Sequence, residues 1–244
     1  GRKEEEEAAP EEALEASALV RDVFSDVLAQ ARDVCYTKAN GRPLRLLCLH
    51  GRGSNGDITA LQTVSLGLQR FVQVDVLNGA YRCHPSDPRF RSLSSQPFYE
   101  WGTGTADEVR ASLKRVLRAI RQGGPFDGLY GFSQGAALVS ALSVPGVASS
   151  LGATRSWAFV LCANGVRIDH RLLDLPSAPV DLPSLHLIGR RDPFRPASEA
   201  LARDFLDPLV VSHAFGHELP VALRSDVHFA AKVHAFLRQQ ALAL

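Results

Sequence analysis

The 244-residue chain has no methionine, four cysteines, two tryptophans and an aromatic content of only 7%. The absence of methionine, an initiator included, carries the expectation that the chain is a processed form or part of a larger polypeptide. Net charge is equally scarce: 27 Lys and Arg stand against 26 Asp and Glu, leaving +1. Without a basic field there is no electrostatic footprint for counterion-driven binding, which argues against a nucleic-acid partner. No apolar run approaches the roughly 18 to 20 residues that span a bilayer, and Glu4 to Glu7 stand where a signal peptide is basic. The expectation is a chain without a transmembrane segment, located in the cytoplasm. Cys35, Cys48, Cys83 and Cys162 show no C-x-x-C or other zinc-like spacing, so no metal site is expected. Cys48 and Cys162 fall inside apolar runs and read as reduced core thiols.

What is there divides into two parts. The acidic first ten residues read as a solvated linker. From Glu11 to about Val34, apolar positions recur every three or four residues, which predicts an amphipathic helix stopped by Asn40-Gly41. Residues 1–42 are thus expected to be an acidic linker plus a helical extension, and 43–244 a single domain. Beyond Pro43 the β-type runs are Leu44 to Leu49, Phe71 to Leu77, Phe126 to Phe132, Trp157 to Cys162, Leu185 to Ile188 and Leu209 to Ser212. Helical stretches are predicted at Ile58 to Leu68, Asp107 to Arg121, Gln134 to Leu142 and Ala197 to Phe205, with a last one ending near Leu244. Continuous apolar runs alternating with helices indicate an α/β fold, with a doubly wound, mostly parallel sheet of about six strands covered on both faces. Ligands of such sheets bind beyond the carboxyl ends of the strands. Two connections, Asn78 to Gly104 and Ala163 to Pro183, are long enough to suggest substrate-binding loops or small lids.

The chemistry concentrates at Gly131-Phe132-Ser133-Gln134-Gly135, a G-x-S-x-G between a strand-like run and a helix-like one. A nucleophile elbow needs this composition, because only residues without bulk let strand and helix approach around a strained Ser133. A hydroxyl attacks only when a base takes its proton and a carboxylate orients that base. In the chain order Ser, acid, His, the candidates are Asp192, after the run Leu185 to Ile188, and His217, after Leu209 to Ser212. His213 is the rival base; it ends the apolar run, whereas His217 follows the Gly216 turn. Asp174 and Asp181 precede their strand and belong at the opposite edge of the sheet. His228 and His234 lie on the final helix, where a structural His is the usual finding. The oxyanion hole needs two backbone N–H groups, and Gln134 and Arg52 are the expected donors. His50 is expected to order that loop and stands near the substrate.

The same loop offers a competing motif. Gly51-Arg52-Gly53-Ser54-Asn55-Gly56 fits G-x-G-x-x-G, with Asp75 about 20 residues on, the dinucleotide fingerprint. Asp75 lies inside its strand run rather than at the tip, and this reading leaves Ser133, Asp192 and His217 without a role.

From about Leu44 to Leu237 the chain resembles the serine hydrolases of the FSH type, within the α/β-hydrolase superfamily. The resemblance rests on Leu46-Leu47-Cys48-Leu49-His50-Gly51, Trp101, Gly124-Pro125-Phe126-Asp127-Gly128 leading into Gly131-Phe132-Ser133-Gln134-Gly135-Ala136-Ala137, His186-x-x-Gly189-x-x-Asp192, and Gly216-His217-x-x-Pro220. It implies Ser133 as nucleophile, Asp192 as acid and His217 as base, in an α/β-hydrolase fold. Two departures lie near the expected acyl site: Arg52 replaces a common aromatic, and Leu77-Asn78-Gly79-Ala80 replaces an Ala-Pro turn.

Together these observations predict a serine hydrolase that cleaves small-molecule carboxylic esters through an acyl-enzyme, with no cofactor. An acyl-thioesterase with the same triad is the alternative, and a dinucleotide-binding or non-catalytic module the more distant one. Phe90, Phe98, Tyr99 and Trp101 are candidates for an acyl-binding wall, or for plain packing of their loop. Arg52, Arg190, Arg191 and Arg195 either face an anionic substrate group or are simply solvated.

Overall fold

The computed structural model describes residues 38–68, 72–168, 179–219 and 227–244. The helix expected over residues 11–34, and Cys35, lie outside the described residues. In chain order the elements are β1 (Leu44–Leu49), α1 (Gly56–Ser65), β2 (Val72–Leu77), β3 (Tyr81–Cys83), α2 (Phe90–Leu93), β4 (Phe98–Glu100), α3 (Ala106–Gly123), β5 (Gly128–Phe132), α4 (Gln134–Ser143), α5 (Val147–Ser150), β6 (Phe159–Ala163), β7 (Ser184–Gly189), α6 (Arg195–Ala202), β8 (Pro208–His213) and α7 (Val227–Ala243).

The six apolar runs form one sheet in the order β2-β1-β5-β6-β7-β8, and every pairing in it is parallel. Because side chains alternate across a strand, each central strand feeds two cores. On one face Leu47, Leu49, Leu129, Val160 and Cys162 meet Val109, Leu113 and Val116 of α3, Leu138 and Leu142 of α4, and Leu201 of α6. On the other, Leu46, Cys48, Tyr130, Leu161, Leu185 and Leu187 meet Phe229, Val233, Phe236 and Leu237 of α7. This is the three-layer α/β architecture that continuous apolar strands require. Burial also pushes the Cys48 and Cys162 thiols up, the latter to about 12, so both remain protonated core groups.

The differences from expectation have local causes. Helix α1 starts two residues early because the Asn55 side chain accepts the Ile58 N–H as a cap, and it ends before the left-handed Gly67. Helix α6 starts early at Arg195-Pro196, proline being suited to a first helical turn. The connection from Asn78 to Gly104 is not a plain loop: β3 and β4 pair antiparallel inside it. Three-residue strands carry too little periodicity to be legible in sequence. At the amino-terminal edge of the sheet Lys38 and Arg45 are tied to Asp127 and Asp75, which leaves the carboxyl-terminal edge for chemistry. Among the described residues no helix is long and apolar enough to cross a membrane.

Candidate active site

Ser133 sits between β5 and α4 with φ +51° and ψ −114°, a left-handed conformation that non-glycine residues rarely adopt. The flanking glycines make the turn possible. A Cβ on Gly131 would lie 2.4 Å from the Ala136 nitrogen, and one on Gly135 would lie 2.4 Å from the Leu49 carbonyl oxygen. The Ser133 N–H donates to the Ala163 carbonyl at the end of β6, anchoring the elbow to the neighbouring strand.

Three loops from the same sheet edge converge here. His217 Nε2 lies 2.8 Å from Ser133 Oγ, and His217 Nδ1 lies 2.8 Å from Asp192 Oδ2. A carboxylate only accepts, so Nδ1 carries the hydrogen and Nε2 presents its lone pair to the hydroxyl. The second oxygen of Asp192, Oδ1, accepts the Phe194 N–H at 2.7 Å, which fixes the carboxylate in its buried position. The rings of Phe132 and Phe194 lie on His217 with centroids 5.2 and 5.1 Å away. The rival His213 is buried at the end of β8 between the rings of Phe215 and Phe229. It is a core residue. The close passage of the His217 loop over β7 explains Gly189, where a Cβ would meet the Gly216 carbonyl oxygen at 2.3 Å.

The loop after β1 runs beside the elbow. A Cβ on Gly51 would meet the Phe132 ring at 2.8 Å and Ser133 Cβ at 3.3 Å, so Arg52 follows directly on the residue that touches the Ser133 turn. Its guanidinium points away, pairing with the shielded Glu100 carboxylate at 2.8 Å while remaining 72% exposed. Gln134, the first residue of α4, is held by its side chain: Oε1 accepts the Trp101 N–H, and Nε2 donates to the Gly102 carbonyl.

Trp101, a candidate for the acyl wall or for plain packing of its loop, and His50, expected to order its loop near the substrate, are both buried. His50 is 0% and Trp101 2% exposed. His50 Nε2 accepts the Gly79 N–H at 2.8 Å, its Nδ1–H donates to the Gly51 carbonyl at 2.6 Å, and burial lowers its pKa to about 4. The Trp101 indole N–H donates to the His50 carbonyl at 2.9 Å. Both side chains brace the loop that carries Arg52 rather than present a surface to substrate. Phe98 and Tyr99, in β4, are half-buried, as is Phe90 in α2. The Leu77–Ala80 turn serves the same bracing, since Asn78 Oδ1 accepts the Gly56 N–H and a Cβ on Gly79 would meet the Glu100 carbonyl oxygen at 2.3 Å.

The dinucleotide motif is occupied by other work. Asn55 and Asn78 already accept N–H groups from the first turn of α1, where a pyrophosphate would sit. Both Asp75 oxygens are bound by the Arg45 guanidinium, so the expected ribose ligand is committed to an ion pair. Arg195 pairs with Glu199, while Arg190 and Arg191 are exposed and their backbone N–H groups hold the carbonyls of His213 and Phe215.

Sequence reasoning missed Asn164. It follows β6, has φ +44°, is 0% exposed, and its side chain reaches the strand and loop carrying Asp192 and His217. An asparagine directly before a glycine at a strand's end is a turn signal, and nothing in it points across the sheet.

The sheet, its covering helices and a serine at the strand-to-helix turn place this molecule among the α/β-hydrolases. The chain belongs to the serine hydrolase (FSH1) family, whose model matches residues 39–228. It is 36% identical to human Esterase OVCA2 over 213 residues, covering 74% of this chain and 91% of that protein. It is 29% identical to Esterase C25G4.2 of Caenorhabditis elegans over 215 residues, covering 81% and 94%. In fold it is similar to acyl-protein thioesterase 2 of Zea mays, with a TM-score of 0.55 at 17% identity, covering 82% of this chain and 95% of that one.

Proposed function

We propose that the protein is a carboxylesterase working through an acyl-enzyme on Ser133. The observation that carries this reading is the continuous chain Ser133 Oγ, His217 Nε2, His217 Nδ1, Asp192 Oδ2, with both links at 2.8 Å. Ser133 Oγ attacks the ester carbonyl as its proton passes to His217 Nε2. Asp192 holds the imidazole in the required tautomer and stabilises the imidazolium that forms. The tetrahedral oxyanion is held by the N–H of Gln134, at the start of α4, and the N–H of Arg52. His217 then protonates the departing alkoxide, takes a proton from water, and lets that water release the acid from Ser133.

The same steps act on a thioester, with a thiolate leaving. Comparing kcat/KM on matched oxygen and thiol esters decides which bond the enzyme prefers. The mechanism itself is tested with a fluorophosphonate probe and peptide mapping. Covalent modification at Ser133, lost in Ser133→Ala, is expected; an unlabelled native enzyme, or labelling that survives the substitution, overturns the reading.

A further inference from the structure

We infer that Asn164 is a positioning residue for this triad, its side-chain amide locking the His217 loop against the ends of β6 and β7. The inference rests on the roles proposed for those three residues. Asn164 directly follows Ala163, whose carbonyl accepts the Ser133 N–H at 2.9 Å, and its own N–H donates to the Leu187 carbonyl of β7 at 2.8 Å. Asn164 Oδ1 accepts the Gly189 N–H at 2.9 Å, where β7 turns toward Asp192. Its Nδ2 donates to the carbonyls of Gly216 at 3.3 Å and Glu218 at 3.0 Å, the two residues that flank His217. The side chain therefore ties the two residues flanking His217 to the strand end that leads to Asp192, while the Ala163 carbonyl just before it holds the Ser133 N–H.

The residue type follows from this geometry. The site asks for one acceptor, toward an N–H, and two donated hydrogens, toward two carbonyls. At this length only a primary amide supplies that set. An aspartate could still accept from Gly189, but its second oxygen would face two carbonyl oxygens. The backbone adds a further requirement, because asparagine tolerates the left-handed φ of +44° better than other residues with a side chain. Asp192 and the Phe132 and Phe194 rings fix how the imidazole is turned, whereas Asn164 fixes where its Cα lies.

The test uses Asn164→Gly, which keeps the left-handed backbone and deletes the amide, and Asn164→Asp, which keeps the size and removes the donors. Native enzyme and variants are compared for kcat and KM on a p-nitrophenyl ester, for the rate of fluorophosphonate labelling at Ser133, and for thermal midpoint. Asn164→Gly is expected to lower kcat and the labelling rate by about 10- to 100-fold, as a small misplacement of a catalytic group does. Its KM should stay within about threefold. In Asn164→Asp the buried carboxyl is driven towards its neutral form and donates at most one hydrogen to the two carbonyls, so kcat and the labelling rate should fall there as well, again with KM within about threefold. Native kcat and labelling rate in Asn164→Gly, with only a lower thermal midpoint, would overturn the inference and leave the triad standing. Failure of the native enzyme to label at Ser133 overturns the triad, and the inference with it.

Discussion

A methyl group on Gly135 would stand 2.4 Å from the Leu49 carbonyl oxygen and 2.7 Å from that of His50. The first turn of α4 is thus pressed onto the end of β1, where the loop carrying Arg52 begins. Gly135→Ala forces these backbones apart and should lower the labelling rate at Ser133 at least tenfold, with about 1–3 kcal/mol of lost stability from overpacking. Gly123→Ala, whose methyl meets only the Phe126 ring at 3.6 Å, is the control and should change neither. Native labelling in Gly135→Ala would mean that the elbow tolerates displacement.

Asp192→Asn separates orientation from folding. An asparagine there can still accept the Phe194 N–H, so the thermal midpoint should hold. Its amide can instead donate to His217 Nδ1, stabilising the wrong tautomer, and kcat should fall by about 10³- to 10⁴-fold. Near-native kcat would move the acid's role to another residue.

Arg52 is proposed to act through its backbone, so the side chain should be dispensable. Arg52→Ala removes the exposed partner of the buried Glu100 carboxylate, so some loss of thermal midpoint is expected. The expected kcat lies within about threefold of native. A hundredfold loss would show the guanidinium taking part in the reaction.

Two buried histidines set an acid limit on stability. Burial lowers the pKa of both His50 and His186 to about 4, partly opposed by the Gly51 carbonyl at the first and Asp204 at the second. The unfolded chain titrates near 6.5, so between about pH 6.5 and 4 it takes up protons that the folded chain refuses. Stability is therefore full above pH 6.5 and drains away as pH falls through that window, by a few kcal/mol per site at its lower end. Urea midpoints at pH 7, 6 and 5 should show a shallower decline in His186→Leu than in the native protein. Equal slopes would mean that His186 is protonated in the fold.

Much of the fold was legible because its signals are local. Six apolar runs marked the six parallel strands to within about two residues, since a strand buried on both faces needs no partner to be recognised. Gly131 and Gly135 marked the tight strand-to-helix turn at Ser133 because close approach there leaves no room for a side chain. The hairpin of β3 and β4 was not legible, nor was the burial of His50 and Trp101. An aromatic on a long connection looks the same whether it faces a substrate or, as here, braces a loop by donating to the His50 carbonyl.

The sequence by itself determined which residues could do the chemistry: a serine in a glycine-flanked turn, an acid and a histidine after later strands. Only the tertiary structure sets His213 and His217, four residues apart, in different surroundings, burying the first between phenylalanine rings and placing the second 2.8 Å from a serine 84 positions away. It alone made Asn164 a neighbour of all three loops. Turn and strand preferences are set by a residue and its immediate neighbours. Distances across the sheet edge depend on strand order and register, which are fixed by packing summed over both cores.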